Sequence, residues 1–152
     1  MTTTIGIIGA GHLIKHMMPA MVQTGFRFLV SERGRKTSAE LADQYGVEVL
    51  SDNQSIVDQS DLVVVAVRPF DAVDICEALT FADGQTVLSL CAGLPSSDLA
   101  PVVAPADLVM AMPVVAAQFS ESPTLMFPEN PKCRALLESC GPVLALKSED
   151  SF

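Results

Sequence analysis

Two glycines near the amino terminus, Gly9 and Gly11, are the residues best placed to do chemistry. They directly follow a short apolar run at residues 5–8 and open a helical pattern. Glycine at the first position permits a tight turn, and glycine at the second lets the backbone approach a ligand without a Cβ in the way. The amides of His12 and Leu13, at the start of the helix, would donate to phosphate oxygens. This strand–turn–helix context predicts a site for the pyrophosphate of a dinucleotide.

Two features of the first helix differ from the usual dinucleotide fingerprint. Ile14 holds the position of the third small residue, so we expect the helix to stand slightly away from the sheet or to pack differently. His12 and His16 stand four residues apart, which is the spacing of a two-histidine metal site, but no glutamate lies between them as in H-E-x-x-H. No further ligand is apparent. We therefore expect no metal, with His12 lining the cofactor cleft and His16 on the helix surface.

The end of the second predicted strand bears on which nicotinamide cofactor is used. An acid at this point accepts hydrogen bonds from a ribose 2′-hydroxyl, whereas cations pair with a 2′-phosphate. The chain offers one acid, Glu32, and three cations, Arg33, Arg35 and Lys36. Glu32 can point away because side chains alternate along a strand. The cluster favours NADP over NAD.

Composition limits the partners and the compartment. The 152-residue chain carries 9 Lys and Arg against 18 Asp and Glu, and its net charge of −9 argues against nucleic acid or an anionic membrane as a partner. It contains no apolar run of 18 or more residues and no basic leader, so we expect a soluble cytoplasmic protein. Four cysteines form no C-x-x-C pair and match no zinc framework, which predicts reduced thiols: Cys76, Cys91, Cys133 and Cys140.

Strand patterns alternate with helical patterns along the whole chain, which is typical of a parallel sheet covered by helices. We predict an α/β fold, Rossmann-type and doubly wound, with a mostly parallel sheet, helices on both faces and one dinucleotide-binding domain over residues 1–152. Strands are predicted at residues 5–8, 26–30, 47–50, 62–67, 86–90, 108–112, 124–127 and 143–146. Helices are predicted at residues 11–23, 37–45, 52–60, 69–79, 96–100 and 131–139, and a long loop at 113–123.

Five short segments occur in the order seen in one known family. They are Ile7-Ile8-Gly9-Ala10-Gly11, Val30-Ser31-Glu32-Arg33, Ala66-Val67-Arg68-Pro69, Leu90-Cys91-Ala92-Gly93 and Ala111-Met112-Pro113. In this register the chain resembles the pyrroline-5-carboxylate reductases, from Ile5 to about Glu149. That family reduces the cyclic imine 1-pyrroline-5-carboxylate to proline, the last step of proline biosynthesis, by hydride transfer from NADPH or NADH.

The resemblance implies a role for each matching position. The glycine turn and the start of the helix would hold the pyrophosphate: Gly9, Gly11, His12 and Leu13. The end of the second strand would hold the 2′-phosphate: Ser31, Arg33 and Arg35. The loop after the fourth strand would cover the ribose and pyrophosphate: Ala66, Val67, Arg68 and Pro69. Two further strand ends would flank the nicotinamide: Ala92, Gly93, Met112 and Pro113.

The chain also departs from the family pattern. Val114 and Val115 replace an Asn and a Thr beside the nicotinamide, and His12 replaces the Asn of the glycine turn. The resemblance further implies a small-molecule substrate and a carboxyl-terminal helical domain, absent from this chain, that makes the family's homo-oligomer. No side chain stands out as a proton donor to the imine, so we assign no catalytic residue. A related NADP-dependent reductase of the deazaflavin-dependent or β-hydroxyacid dehydrogenase type, or a non-catalytic NAD(P)-sensing domain, remains as an alternative.

Overall fold

The computed structural model describes residues 2–9, 11–32, 35–113 and 123–152. The side chains of Arg35 and Ser151 lie outside this description. Eight strands are present within the described residues: β1 (Thr4–Ile8), β2 (Arg27–Ser31), β3 (Glu48–Leu50), β4 (Leu62–Val65), β5 (Thr86–Ser89), β6 (Asp107–Met112), β7 (Thr124–Phe127) and β8 (Val143–Ala145). The α-helices among the same residues are α1 (His12–Met21), α2 (Arg35–Tyr45), α3 (Asn53–Gln59), α4 (Pro69–Glu77), α5 (Ser96–Val103) and α6 (Pro131–Leu137).

All eight strands form one sheet in the order β3-β2-β1-β4-β5-β6-β7-β8. Every neighbouring pair is parallel except β6 and β7, which are antiparallel. The order reverses direction between β1 and β4, since β2 and β3 extend to one side and β5 and β6 to the other. In open α/β sheets a crevice forms at such a point, outside the carboxyl ends of the strands, and ligands bind there.

Two apolar cores, one on each face of the sheet, confirm the predicted doubly wound arrangement. Successive strand residues point to opposite faces. In β4, Leu62 and Val64 therefore join the core that contains buried residues of α1, α2 and α6. Val63 and Val65 join the core that contains buried residues of α3, α4 and α5. Because the central strands are buried on both faces, they carry continuous apolar runs rather than alternating patterns.

Local signals placed the element ends to within a few residues. Asp52 caps α3, as expected, by accepting a hydrogen bond from the amide of Ser55 at 2.8 Å. The first helix ends at Met21 and continues as a 3₁₀ turn to Gly25, whose φ of +77° is the left-handed cap predicted there. The fourth strand is shorter than predicted and stops at Val65. Beyond Val65, the Ala66 amide still donates to the carbonyl of Ile8, the last residue of β1, at 2.9 Å.

Ile14 does not project into the glycine turn. Its side chain is fully buried in the core beneath α1, together with Met17 and Met18. Close approach of a helix to β1 occurs instead on the other face, at Gly6, where a Cβ would lie 2.2 Å from the Ser60 Oγ and 2.5 Å from the Ile56 Cγ2. The close contact between β1 and a helix therefore lies on the face covered by α3, and the large Ile14 side chain packs on the opposite face, beneath α1.

Two further findings concern the described residues as a whole. All four cysteines are free and buried, as expected for reduced thiols. Within residues 2–9, 11–32, 35–113 and 123–152, no helix is both long and apolar enough to traverse a lipid bilayer.

Candidate functional site

The two glycines of the turn after β1 have different structural reasons to be glycine. Gly9 has a φ of +92°, and a Cβ there would lie 2.6 Å from the Val67 Cγ1 and 2.7 Å from the Ala66 carbonyl oxygen. Gly11 has an extended backbone, with φ −103° and ψ −160°. The nearest heavy atom to a Cβ at Gly11 is the Gly9 carbonyl oxygen, 4.0 Å away. Folding requires glycine at position 9, whereas position 11 faces open space.

The helix that follows has unsatisfied donors at its start. The first amides of an α-helix lack intrahelical acceptors, and Gly11 at the cap has no side chain to supply one. The amide of Gly11 itself donates to the Gly9 carbonyl at 2.8 Å. The amides at His12 and Leu13 therefore depend on an acceptor from outside the helix, and the helix dipole favours an anion at this point.

A cavity of about 350 Å³ opens in front of this helix start. We refer to it as the first cavity, and its wall comes from the turn after β1, the loop after β4 and the end of β5. The lining residues are Gly11, His12, Leu13, Ala66, Val67, Arg68, Pro69, Leu90, Cys91 and Ala92. Eight of the predicted site residues therefore meet in one place, at the crevice where the strand order reverses.

A second cavity of about 210 Å³ lies beyond β5 and β6. Its lining is Ser89, Cys91, Ala92, Gly93, Leu94, Pro95, Met110, Ala111, Met112, Glu149 and Phe152. The two cavities share Cys91 and Ala92, so they lie next to each other along the carboxyl ends of β1, β4, β5 and β6. Of the four residues predicted to flank the nicotinamide, Ala92, Gly93 and Met112 line this second cavity, while Pro113 directly follows β6 outside its lining.

Cys91 sits at the junction of the two cavities. Its Sγ is 3.3 Å from the carbonyl oxygen of Val67 and 3.6 Å from that of Val65, so the thiol donates to the loop after β4. Burial raises the pKa of the Cys91 thiol, which keeps it protonated and able to donate. Cys91 therefore ties the loop over the first cavity to the end of β5.

Ser31 has a contact that the sequence did not predict. Its side chain is 2% exposed, and its Oγ accepts a hydrogen bond from the Gly9 amide at 3.1 Å. The Ser38 hydroxyl in turn donates to the Ser31 carbonyl at 2.6 Å. Ser31 thus supports the glycine turn from β2. Contact between Ser31 and a 2′-phosphate stays a prediction.

Some predicted residues are not placed by the structure. Arg33, Val114 and Val115 lie outside the described residues, as does the side chain of Arg35. The backbone of Arg35 begins α2, directly beyond the end of β2. The NADP preference that rests on these cations stays a prediction.

The two histidines of α1 contact each other. The Nε2 atoms of His12 and His16 are 2.9 Å apart, and their rings meet edge to face with centroids 4.3 Å apart. Such a contact needs one ring to donate and the other to accept. Across the part of the chain that the structure describes, no group of three or more His, Cys, Asp or Glu side chains is arranged to hold a metal ion.

The first cavity is lined by one exposed cation, Arg68, which lies near an exposed aromatic ring. Phe70, in the first turn of α4, is 77% exposed. The guanidinium of Arg68 lies 6.0 Å from its ring centroid, and the Arg68 Nε is 3.6 Å from the Asp71 carboxylate. Because the Arg68 side chain is 76% exposed, this ion pair contributes little to stability.

Comparison with known proteins identifies the family. A family model described as "NADP oxidoreductase coenzyme F420-dependent" matches residues 4–93, which run from β1 through the end of β5 and include the first cavity. The chain belongs to this oxidoreductase family.

Several relatives of this oxidoreductase chain are pyrroline-5-carboxylate reductases. The protein of that name from Pseudomonas aeruginosa is 26% identical over 150 residues, covering 95% of this chain and 55% of the relative. The one from Vibrio alginolyticus is 27% identical over 161 residues, covering 97% of this chain and 59% of the relative. The chain therefore spans little more than half the length of these relatives.

Solved structures agree with this family assignment. The 1-pyrroline-5-carboxylate reductase from Streptococcus pyogenes superposes with a TM-score of 0.86 at 27% identity, covering 99% of this chain and 60% of that one. The Coxiella burnetii pyrroline-5-carboxylate reductase gives the same TM-score, 0.86, at 21% identity, and shows the fold alone. Both the resemblance and the Rossmann-type fold predicted from the sequence are confirmed.

The second cavity of this oxidoreductase contains residues that sequence reasoning missed. Glu149 and Phe152 reach it from the end of the described chain, after β8. Glu149 accepts hydrogen bonds from Ser96, a residue 53 positions away. A contact over that separation leaves no local pattern in the sequence, and an alternation or cap signal could not have found it.

Proposed function

We propose that this chain is the NADP(H)-binding domain of an oxidoreductase of the pyrroline-5-carboxylate reductase type. The observation that carries the proposal is the open space in front of Gly11, inside the first cavity and beside amides that lack intrahelical acceptors. The folded structure has room for a Cβ at that position, so packing does not require glycine there. A ligand that needs close backbone approach does, and a pyrophosphate is such a ligand.

The residues present fit the pyrophosphate of a dinucleotide. Gly9 shapes the turn, Gly11 leaves room for the phosphate oxygens, and the amides of His12 and Leu13 donate to them. Arg68 adds a cation at the mouth of the same cavity, in a chain that is otherwise strongly acidic. The loop formed by residues 66–69 covers the ribose and pyrophosphate from the side of β4.

We assign the 2′-phosphate to the cations after β2. Arg33 and Arg35 follow Ser31, the last residue of β2, in the sequence, and a ribose 2′-substituent reaches the end of this strand in folds of this kind. Lys36 adds a third positive charge, and Glu32 is the one acid in the cluster. Guanidinium groups bind phosphate with paired, charge-assisted hydrogen bonds, so this composition favours NADP over NAD.

The second cavity takes the nicotinamide end. A reduced nicotinamide supplies the hydride when it is bound. The chain's own part is to hold the ring in a mostly apolar pocket formed by Ala92, Gly93 and Met112, with Pro113 at the end of β6, and to keep water away from it. Hydride transfer needs reacting atoms aligned within about 3–3.5 Å, so the acceptor must reach the open side of this pocket.

The acceptor we propose is 1-pyrroline-5-carboxylate, the substrate in the names of the relatives. No described side chain at the second cavity is an evident proton donor to an imine nitrogen. We infer that residues 1–152 form one dinucleotide-binding domain and that the family's helical domain, which pairs subunits, supplies the rest of the substrate site. A deazaflavin-dependent NADP oxidoreductase is the second candidate, because the matching family model carries that description.

Calorimetric titration of the chain with NADPH and NADH tests cofactor binding. We expect both to bind, with NADPH the tighter. Arg33→Ala should weaken NADPH binding and leave NADH binding unchanged. Lys132→Ala is the matched control, because its ammonium contacts the Gly84 carbonyl at the amino-terminal edge of the sheet. Absence of binding by both cofactors would overturn the proposal.

The substrate is tested separately, with the complete protein. Loss of reduced-nicotinamide absorbance on adding 1-pyrroline-5-carboxylate is the expected result. Turnover with an oxidised deazaflavin instead would establish the second candidate. Tight NADPH binding without oxidation by either acceptor would favour a sensing domain over an enzyme.

A further inference from the structure

The last described residues pack against the start of α5 through one carboxylate. The Glu149 Oε2 accepts a hydrogen bond from the Ser96 amide at 3.0 Å, and the Glu149 Oε1 accepts one from the Ser96 hydroxyl. Ser96 is the first residue of α5, while Glu149 begins a 3₁₀ turn over Glu149–Ser151. One side chain therefore joins two segments on either side of the second cavity.

The helix start explains why a distant carboxylate binds there. The capping position of α5 is Pro95, which makes no side-chain hydrogen bond to the helix. The first amide of the helix is left to an outside acceptor, and a negative charge is favourable near the positive end of the helix dipole. Both hydrogen bonds from Ser96 hold the pKa of Glu149 below its usual range, so the carboxylate is ionised at neutral pH.

The anchored turn forms one wall of the second cavity. Glu149 and Phe152 line it together with Ser89 and the Met110–Met112 end of β6. The chain is bonded to the sheet as far as Leu146, whose amide donates to the Met126 carbonyl at 2.8 Å, and the Glu149 carboxylate adds a contact to α5 three residues later. Removal of the Glu149 carboxylate should release the turn and open the cavity to water.

We propose that Glu149 is a positioning residue for the nicotinamide. It holds the turn at 149–152 in place as a wall of the pocket, and it does so through Ser96 rather than by contact with the reacting atoms. The inference rests on the proposed function, since it assumes that the nicotinamide occupies the second cavity. The inference adds that binding of the nicotinamide end of the cofactor depends on the contact between Glu149 and Ser96, which lies outside residues 4–93, the part of the chain that the family model matches.

The test compares two ligands that share one end. NADPH occupies both cavities, whereas adenosine 2′,5′-bisphosphate has only the adenosine end and does not reach the second cavity. We expect Glu149→Ala to weaken NADPH binding by roughly five- to tenfold, the net scale of one ordinary hydrogen bond, because the effect reaches the cofactor only through the turn. Affinity for adenosine 2′,5′-bisphosphate should not change. Glu138→Ala, which removes an exposed carboxylate from the turn after α6, is the matched control.

Two further measurements separate positioning from general damage. The increase in NADPH fluorescence on binding reports how well the nicotinamide is shielded from water, and Glu149→Ala should reduce it. Glu149→Gln keeps an acceptor for the Ser96 amide and should fall between wild type and alanine. If Glu149→Ala does not fold, Ser96→Ala should show a smaller loss in the same direction, because it removes the hydroxyl and keeps the amide.

The results distinguish this inference from the proposed function. Equal losses for the two ligands, or no loss for NADPH, would overturn the role of Glu149 and leave cofactor binding intact. Wild-type protein that binds neither ligand would overturn the proposed function and, with it, this inference.

Discussion

An alanine substitution at Gly9 should lower the stability of the fold, whereas an alanine substitution at Gly11 should lower the affinity for the cofactor. Alanine at position 9 must adopt a φ of +92° and place its Cβ 2.7 Å from the Ala66 carbonyl oxygen, which is backbone and cannot easily move. Alanine at position 11 keeps an extended backbone and meets no heavy atom closer than 4.0 Å. The first change damages the fold, and the second fills space that we assign to the pyrophosphate.

The expected sizes are well separated. For Gly9→Ala, backbone strain costs about 1–3 kcal/mol and overpacking about the same again, so Tm should fall by roughly 4–24 °C. For Gly11→Ala, the lower entropy of the unfolded chain stabilises the protein by about 0.4–1 kcal/mol, but alanine is a poorer helix N-cap than glycine by a similar amount, so Tm should change by no more than a few degrees. Its NADPH affinity should fall about ten- to 150-fold, since hydrogen bonds to a charged group contribute about 1.5–3 kcal/mol.

Thermal melts and calorimetric titration of the two variants measure both quantities. A Gly11→Ala protein that melts within a few degrees of the wild-type temperature but binds NADPH weakly is the expected result. A stable Gly11→Ala protein with wild-type NADPH affinity would contradict the placement of the pyrophosphate in front of Gly11, because the Cβ would then occupy space that no phosphate needs. A Gly9→Ala protein as stable as wild type would show that the turn geometry is wrong.

Three other predictions concern stability and thiol chemistry. Ser31→Ala leaves the Gly9 amide buried without its acceptor, so chemical denaturation should show a loss of about 1–3 kcal/mol. Two hydrogen bonds from Ser55 lower the pKa of Asp52, so this cap stabilises the fold above the pKa of the unfolded chain and is lost as pH falls through the lower folded value. Asp52→Ala should therefore lower Tm at pH 7, and the difference from wild type should shrink as the pH falls through that lower value. Burial raises the pKa of Cys133 to about 12, so a disulfide reagent at pH 8 should label it only after denaturation, and fast labelling of the native protein would contradict its burial.

Local patterns predicted the elements because each element carries its own signal. The apolar run of β4, the proline at the first turn of α4 and the Asp52 cap each act within one or two helical turns. Alternation of such elements allows few topologies, since connections between parallel strands are right-handed and short. The sheet order and the crevice at the end of β1 follow from that restriction, and the glycine turn could be placed in the crevice from sequence alone.

Contacts between distant residues could not be predicted in the same way. The hydrogen bond from the Gly9 amide to the Ser31 hydroxyl joins the ends of β1 and β2. From the sequence, Gly9 was interpreted as a turn residue and Ser31 as a phosphate ligand, so neither pointed to this bond. Glu149 reaches Ser96 although β8 and β5 are separated in the sheet by β6 and β7, so the contact depends on the whole strand order. Polar side chains of this kind carry no periodicity, so their partners emerge only from the assembled sheet.

Residues that the fold does not need are the most informative about function. Gly9 would be glycine in any chain that makes this turn against Val67, and it therefore says little about a ligand. Gly11 and Arg68 are different. The fold leaves open space at Gly11, and among the described residues Arg68 meets an exposed ring 6.0 Å away and makes a long, solvated ion pair. Both nevertheless lie at the cavity where a helix presents amides without intrahelical acceptors, and an anionic ligand accounts for all three features together.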